Sequence, residues 1–184
     1  HAKADYKVYA VLGDGECQEG LVWEAAMAAA HYKLDNLVFM LDHNGLQIDG
    51  SNDEVMSLGN IVKKFDAFGF ECFEVDGHDI DAIVKALKAP VEGKPKFICC
   101  NTVKGKGYGP AQKNPARFHG VEPFDPATGK ALKEKVYPGY TDVFSKKLSQ
   151  MAKTNPKLVA ITAAMPDGTG LKAFAKQFPE RFFD

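Results

Sequence analysis

Short runs of apolar residues alternate with helix-forming segments through the first hundred residues, and this alternation constrains the fold most strongly. The apolar runs predict four buried strands, at residues 8–12, 36–42, 70–75 and 96–102. Helix-favouring composition or spacing follows each of the first three strands, at residues 19–33, 55–68 and 80–88. Because strands that are apolar on both faces need cover on both sides, the pattern predicts an α/β domain with a parallel sheet flanked by helices.

The sequence changes character after residue 103. Residues 104–138 are rich in Gly, Pro, Lys and Asp and show little periodicity, which is typical of a long functional loop or a linker. Regular patterns resume as a helix, a strand and a helix, at residues 140–153, 158–162 and 170–178. We therefore expect one α/β domain over residues 1–103, a linker over 104–138, and the beginning of a second, similar domain over 139–184.

Composition excludes several classes of function. The 184 residues carry 23 Lys and Arg against 24 Asp and Glu, so no global field favours nucleic acid or an anionic membrane as partner. We find no signal-peptide pattern and no apolar run long enough to span a bilayer. The four cysteines form no CxxC pair, which favours reduced, buried side chains over a zinc site and predicts a cytoplasmic setting.

Two polar residues follow neighbouring predicted strands and are candidates for metal binding. Asp14 lies in the tripeptide Gly-Asp-Gly after the first strand, and Asn44 comes directly after the second. The carboxyl ends of parallel strands line one crevice, so both side chains are expected to face the same site. Their oxygens suit a hard cation such as Mg²⁺, and the flanking glycines allow close approach of a diphosphate. From these residues alone, an ordinary turn is an equally good interpretation.

The run GDGECQEGLVWEAAMAAAHYKLDNLVFMLDHNGLQIDG, residues 13–50, resembles the thiamine diphosphate motif of the transketolase family. The resemblance implies the thiamine diphosphate-binding fold, with thiamine diphosphate and Mg²⁺ as cofactors. It implies Asp14 and Asn44 as side-chain metal ligands and the Leu46 backbone carbonyl as a third ligand. Gly13 and Gly15 would then pack against the diphosphate. Many family members have two Asn where this chain has His43 and Asn44.

Later segments are similar to the 1-deoxy-D-xylulose-5-phosphate synthase branch of that family. The similarity lies in NTVKGKGYGPAQKNPARFHGVEPFDPATG, residues 101–129, and in residues 140–184. It implies condensation of pyruvate with D-glyceraldehyde 3-phosphate to 1-deoxy-D-xylulose 5-phosphate and CO₂. The segments GECQEG and NGLQIDG resemble transketolase more closely. Transketolase moves a two-carbon ketol unit between sugar phosphates. A non-catalytic module derived from such an enzyme is a further alternative.

Three side chains of the 104–138 segment are candidate site residues through the synthase resemblance. His119 would lie on the diphosphate side of the cofactor as a catalytic group, since an imidazole can donate hydrogen bonds and move protons. Lys104 and Lys106 are candidates for contact with the cofactor or its phosphates. The alternatives are a loop histidine that caps local carbonyls and a solvated basic loop.

The resemblance also bears on the organisation of the whole enzyme. It implies that residues 1–103 are the later part of the diphosphate-binding domain and that residues 139–184 begin the pyrimidine-binding domain. Family members are homodimers, so we expect a homodimer with no nucleic acid or membrane partner. We also expect the chain to be an internal fragment that is inactive alone, because the family's pyrimidine-activating Glu lies beyond Asp184. A naturally short protein is the alternative.

Overall fold

The computed structural model of the protein describes residues 5–47, 50–115, 117–132, 137–163 and 165–184. It divides the chain into two units, His1–Phe118 and His119–Asp184. The division falls inside the segment 104–138, which the sequence predicts to be a linker. The predicted limits of the linker and of the two domains stay a prediction.

The strands of the first unit are β1 Val8–Gly13, β2 Leu37–His43, β3 Leu46–Gln47, β4 Gly50–Ser51, β5 Glu71–Asp76 and β6 Lys96–Asn101. Four of them form a parallel sheet at the centre of the unit, in the order β1-β2-β6-β5. The short β3 and β4 pair as a separate antiparallel hairpin. In register, Gly13 lies beside Asp42, and His43 lies beside Asn101. The carboxyl ends of β1, β2 and β6 therefore meet at one edge, as predicted.

Helices cover the two faces of this sheet unequally. The helices of the unit are α1 Gly20–His31, α2 Asn52–Val55, α3 Ile61–Phe68, α4 Ile80–Lys88 and α5 Gly109–Lys113. The larger apolar core unites buried residues of α1 and α3 with one sheet face, and in it the rings of Phe65 and Phe97 stack at a centroid distance of 3.9 Å. The smaller core lies on the other face, where Ala86 of α4 belongs to the same cluster as Val38 and Ile98. The predicted fold class, a parallel sheet flanked by helices, is confirmed.

The helix predicted over residues 55–68 is wrong in its first part. The structure has a short α2 that ends at Val55 and a separate α3 that begins at Ile61. Asn60 caps α3, because its Oδ1 accepts the Lys63 N–H at 2.8 Å. Gly59, with φ of +57°, turns the chain just before the cap. Local turn and capping chemistry thus overrides the apolar spacing that suggested one continuous helix.

A buried lysine ties α4 to the sheet. Lys96, at the start of β6, is 3% exposed, and its Nζ donates to the carbonyl oxygens of Ala86, Leu87 and Ala89 at 2.7–2.8 Å. These carbonyls belong to the last turn of α4 and its C-cap, where intrahelical donors run out. The ammonium therefore caps the helix and fixes its C-terminal end against β6.

Replacing Lys96 with Met should destabilise the first unit. The carbonyl oxygen of Ala86, which is buried, and those of Leu87 and Ala89, which are partly buried, would lose their donor, so the cost should be about 2–3 kcal/mol in the free energy of unfolding. Lys94→Met is the matched control, because Lys94 makes only an exposed ion pair with Glu71 at 3.7 Å and should cost less than about 1 kcal/mol. Urea unfolding of both variants measures the difference, and equal midpoints would contradict the capping role.

The second unit has a small core of its own. Its elements are α6 Tyr140–Thr154, β7 Ala160–Ile161, α7 Lys172–Gln177 and β8 Phe182–Phe183, with β7 and β8 paired in parallel. The fully buried Phe174 of α7 packs in one cluster with Ala152 and Ala160. The predicted order of helix, strand and helix is confirmed, although β7 is shorter than the predicted strand. Among the described residues, no helix combines the length and apolarity needed to cross a membrane.

Candidate functional site: a buried carboxylate at the carboxyl edge of the sheet

The turn after β1 buries a carboxylate at the end of the sheet. Asp14 is 1% exposed and follows directly on β1. A 3-10 turn at Glu16–Gln18 comes next, and its Cys17 N–H donates to the Asp14 carbonyl at 3.0 Å. Glu16 closes the turn from outside, since its Oε2 accepts the Gly13 N–H at 3.0 Å. The carboxylate of Asp14 is therefore set in a rigid backbone frame rather than on a free loop.

Two backbone amides hold the Asp14 carboxylate. Its Oδ1 accepts the Gly15 N–H at 3.0 Å, and its Oδ2 accepts the Gly45 N–H at 2.6 Å. Gly45 is the residue after Asn44, and its φ of +73° lies in the left-handed region that favours glycine. The second bond joins the turn after β1 to the turn after β2. The structure thus brings the Asp14 side chain and the Asn44–Leu46 turn together, as the sequence predicted.

Asn44 and Leu46 form a local turn beside this carboxylate. The Asn44 Oδ1 accepts the Leu46 N–H at 3.0 Å, and the Asn44 Nδ2 donates to Asp42 Oδ2 at 3.4 Å. An amide oxygen has two lone pairs, so Oδ1 keeps one for a further partner. Leu46 itself lies in β3 and is half-buried. The roles of Asn44 and of the Leu46 carbonyl as metal ligands stay a prediction.

The second glycine of the Gly-Asp-Gly turn is needed for close packing inside the protein. A Cβ added to Gly15 would lie 3.0 Å from the Cβ of Gln47, whereas at Gly13 the nearest atom would be 4.0 Å away. Gln47 is held in place by Gln18, whose Nε2 donates to Gln47 Oε1 and to the Met56 carbonyl, each at 2.7 Å. Gly15 therefore allows the β3 hairpin to approach the turn, while the surroundings of Gly13 leave room beside its backbone.

The turn after β1 holds a buried carboxylate. Within the described residues, the Asp14 carboxylate has backbone donors but no Lys, Arg or His partner. A buried charge without a counter-charge is costly, and a cation bound beside it would offset that cost. Carboxylate and amide oxygens are the ligands that Mg²⁺ prefers, with phosphate oxygens completing its shell. The residues present fit a magnesium–diphosphate group.

A second layer of polar contacts surrounds the ends of β2 and β6. The Thr102 hydroxyl donates to Asp42 Oδ1, and the Thr102 N–H donates to the His43 carbonyl at 3.0 Å. The His43 Nδ1 lies 2.9 Å from Asn101 Oδ1, and Asn101 Nδ2 donates to Glu74 Oε1 at 3.0 Å. Sequence reasoning missed Asp42 and Thr102, although both stand at predicted strand ends, where site residues of parallel sheets are found.

Among the described residues, Lys104, Lys106 and His119 have no side-chain partner that would assign them a role. Lys104 and Lys106 follow β6 in a turn whose Val103 N–H donates to His78 Nε2 at 2.8 Å. Within the described part of the chain, neither lysine side chain makes a hydrogen bond or ion pair. His119 is exposed and is the first residue of the second unit. Contact of these three residues with a cofactor stays a prediction.

Cys17 is buried directly beside the Asp14 turn. Burial, with smaller contributions from Glu16 and Asp14, raises the pKa of the Cys17 thiol to about 12. Burial also raises the pKa of Cys99, in the same apolar core, to about 12. Because the thiolate is the nucleophile and the metal ligand, these cysteines are inert apolar groups at neutral pH. The expectation of reduced, buried cysteines agrees with this environment.

The raised thiol pKa predicts a loss of stability at alkaline pH. The folded-state pKa of Cys17 lies above its ordinary value of 9.0, so the folded chain binds a proton that the unfolded chain releases. The contribution to stability is complete below about pH 9 and decreases as the pH rises towards 12. In urea unfolding between pH 8 and 11, Cys17→Ala should show a shallower decrease than the parent. Equal slopes would contradict the assignment.

The parallel sheet and the buried carboxylate at its carboxyl edge point to a class of proteins. Comparison of the sequence with known protein families identifies that class. The family described as "Transketolase, thiamine diphosphate binding domain" matches residues 1–180. The chain therefore belongs to the transketolase family of thiamine diphosphate-binding domains.

Relatives of this chain point to one branch of the family. The chain is 36% identical to 1-deoxy-D-xylulose-5-phosphate synthase 1 of Geobacter sulfurreducens, over 97% of this chain and 35% of that protein. It is 35% identical to the 1-deoxy-D-xylulose-5-phosphate synthase of Desulfitobacterium hafniense, over 99% of this chain and 36% of that protein. The chain thus spans about a third of the length of the curated relatives that it matches.

Solved structures similar to the chain include transketolases. The Leishmania mexicana enzyme is 35% identical over 57% of this chain and 16% of that chain, with a TM-score of 0.53. A Pichia stipitis transketolase in complex with sedoheptulose 7-phosphate is 33% identical over 57% of this chain and 16% of that chain, with a TM-score of 0.55. The Campylobacter jejuni transketolase, 23% identical over 92% of this chain and 37% of that chain with a TM-score of 0.55, shows the fold alone.

Proposed function

We propose that the carboxyl edge of the sheet is the magnesium- and diphosphate-binding half of a thiamine diphosphate site. The observation that carries the proposal is the buried Asp14 carboxylate. It accepts hydrogen bonds from the Gly15 and Gly45 amides and has no Lys, Arg or His partner among the described residues. In this proposal Asp14 and the Asn44 Oδ1 bind Mg²⁺ through their side chains, and Leu46 binds through its carbonyl. The backbone beside Gly13 and Gly15 accommodates the diphosphate.

We further propose that the whole protein condenses pyruvate with D-glyceraldehyde 3-phosphate to 1-deoxy-D-xylulose 5-phosphate and CO₂. The names of the relatives at 35–36% identity over nearly the whole chain support this reaction. When bound, thiamine diphosphate supplies the electron sink for decarboxylation of the 2-oxo acid. The contribution of this chain is to anchor and orient that group through Asp14, Asn44 and the surrounding backbone.

Transketolase activity is the alternative that a specific observation favours. The Leishmania mexicana and Pichia stipitis structures named above, which are 33–35% identical to this chain over 57% of its length, are transketolases. The sequences of the segments GECQEG and NGLQIDG also resemble transketolase. The two activities share the anchor built by Asp14 and Asn44 and differ in the donor substrate.

Other parts of the proposal concern residues and assembly outside this anchor. His119 is proposed as a catalytic group, and Lys104 and Lys106 are proposed to contact the cofactor, on the strength of the sequence resemblance. The assembly is proposed to be a cytoplasmic homodimer. The proposed pyrimidine-binding part begins at residue 139.

Replacing Asp14 with Asn should abolish Mg²⁺-dependent binding of thiamine diphosphate. The variant keeps the shape of the side chain but removes the buried negative charge, so we expect at least about a hundredfold loss of affinity in calorimetry. Asp35→Asn is the matched control, because Asp35 Oδ2 also accepts a backbone N–H from a distant residue, Gly93, at 3.2 Å. Unchanged affinity in Asp14→Asn would contradict the proposed anchor, as would an equal loss in both variants.

The two candidate reactions are separated by the donor substrate. We expect the whole protein, supplied with thiamine diphosphate, Mg²⁺, pyruvate and D-glyceraldehyde 3-phosphate, to release CO₂ and form 1-deoxy-D-xylulose 5-phosphate. Mass spectrometry of the product and capture of CO₂ from pyruvate labelled at its carboxyl carbon measure this directly. Ketol transfer from a ketose phosphate, without pyruvate consumption, would show transketolase activity instead.

A further inference from the structure

The Asn44 amide has a hydrogen-bond partner at each end, and its donor end faces Asp42. Its Oδ1 accepts the Leu46 N–H at 3.0 Å, while its Nδ2 donates to Asp42 Oδ2 at 3.4 Å. If the amide turned over, a donor would face the Leu46 N–H and an acceptor would face the Asp42 carboxylate. Asp42 and the Leu46 N–H therefore select the same orientation of the amide.

Asp42 is itself held from the neighbouring strand. The Thr102 hydroxyl donates to Asp42 Oδ1, so each oxygen of this carboxylate has one side-chain donor. Thr102 is fixed by its backbone, since its N–H donates to the His43 carbonyl at 3.0 Å. Its methyl group is packed tightly against Gly77, where an added Cβ would overlap Thr102 Cγ2. The hydroxyl is thereby directed towards the end of β2.

We infer that Asp42 and Thr102 are positioning residues for the proposed cation ligand Asn44. Thr102 fixes the Asp42 carboxylate, Asp42 fixes the donor end of the Asn44 amide, and the Oδ1 of that amide is presented to a divalent cation. The inference rests on the proposed function, because it assumes that Asn44 binds Mg²⁺. Outer contacts of this kind orient ligands and commonly change metal affinity by about ten- to a hundredfold.

Thr102→Val tests the outer end of this chain of contacts. Valine keeps the shape and removes the hydroxyl, so calorimetric titration of Mg²⁺ at saturating thiamine diphosphate should show about tenfold weaker binding. Thr102→Ser keeps the hydroxyl and should bind like the parent. Thr154→Val is the matched control, because the Thr154 hydroxyl donates to the Met151 carbonyl in the second unit. Parent-like Mg²⁺ affinity in Thr102→Val overturns the inference.

Variants of Asp42 separate positioning from charge. Asp42→Ala removes both acceptors, whereas Asp42→Asn removes the charge and one acceptor but keeps a carbonyl oxygen that can accept from the Asn44 Nδ2. Positioning predicts a clearly smaller loss of Mg²⁺ affinity for Asp42→Asn than for Asp42→Ala. Equal losses would show that the carboxylate acts through its charge or as a direct ligand, which overturns the positioning role.

A double substitution asks whether Thr102 acts through Asn44. Asn44→Asp keeps an oxygen ligand for the cation but has no donor for Asp42, so Thr102→Val should weaken Mg²⁺ binding no further in that background. A full additional loss overturns the inference. The parent chain provides the reference. If the parent binds Mg²⁺ with thiamine diphosphate and Thr102→Val binds it equally well, this inference alone is rejected. Absence of Mg²⁺-dependent thiamine diphosphate binding in the parent rejects the proposed function and this inference together.

Discussion

The hydrogen bond from the Gly45 N–H to Asp14 Oδ2, at 2.6 Å, is the contact on which the candidate site depends. It joins the turns that follow two adjacent strands, and it uses a carboxylate that is almost fully buried. The left-handed backbone at Gly45 presents this N–H, and the Asx turn of Asn44 with Leu46 follows from the same conformation. Together with the hydrogen bond from Gln18 to Gln47, this contact connects the two turns that carry the candidate ligands.

The charge of Asp14 gives that contact its functional meaning. Two amide donors satisfy part of the carboxylate, but they do not neutralise it, and burial of an uncompensated charge is unfavourable. Burial keeps the nearby Cys17 thiol protonated, so this thiol adds no second negative charge beside Asp14. A cation that bound beside Asp14 only in the folded state would stabilise the fold against unfolding.

The chain belongs to the thiamine diphosphate-binding family, and its structure has a buried carboxylate and an Asx turn side by side at the carboxyl edge of the sheet. The curated relatives named above are 1-deoxy-D-xylulose-5-phosphate synthases, while the solved structures named above are transketolases. The finding that applies to this chain itself is its membership of the thiamine diphosphate-binding family.

The sequence by itself determined the parallel α/β class, the strand ends and the candidate residues Asp14 and Asn44. It could do so because apolar runs and turn residues encode local structure, and because parallel strands end at one edge. It did not reveal the break between α2 and α3, where Asn60 capping overrides apolar spacing. Only the tertiary structure decided that Gly45 bonds Asp14, that Lys96 caps α4, and that Thr102 reaches Asp42. These contacts join residues distant in sequence, and no local pattern specifies their geometry.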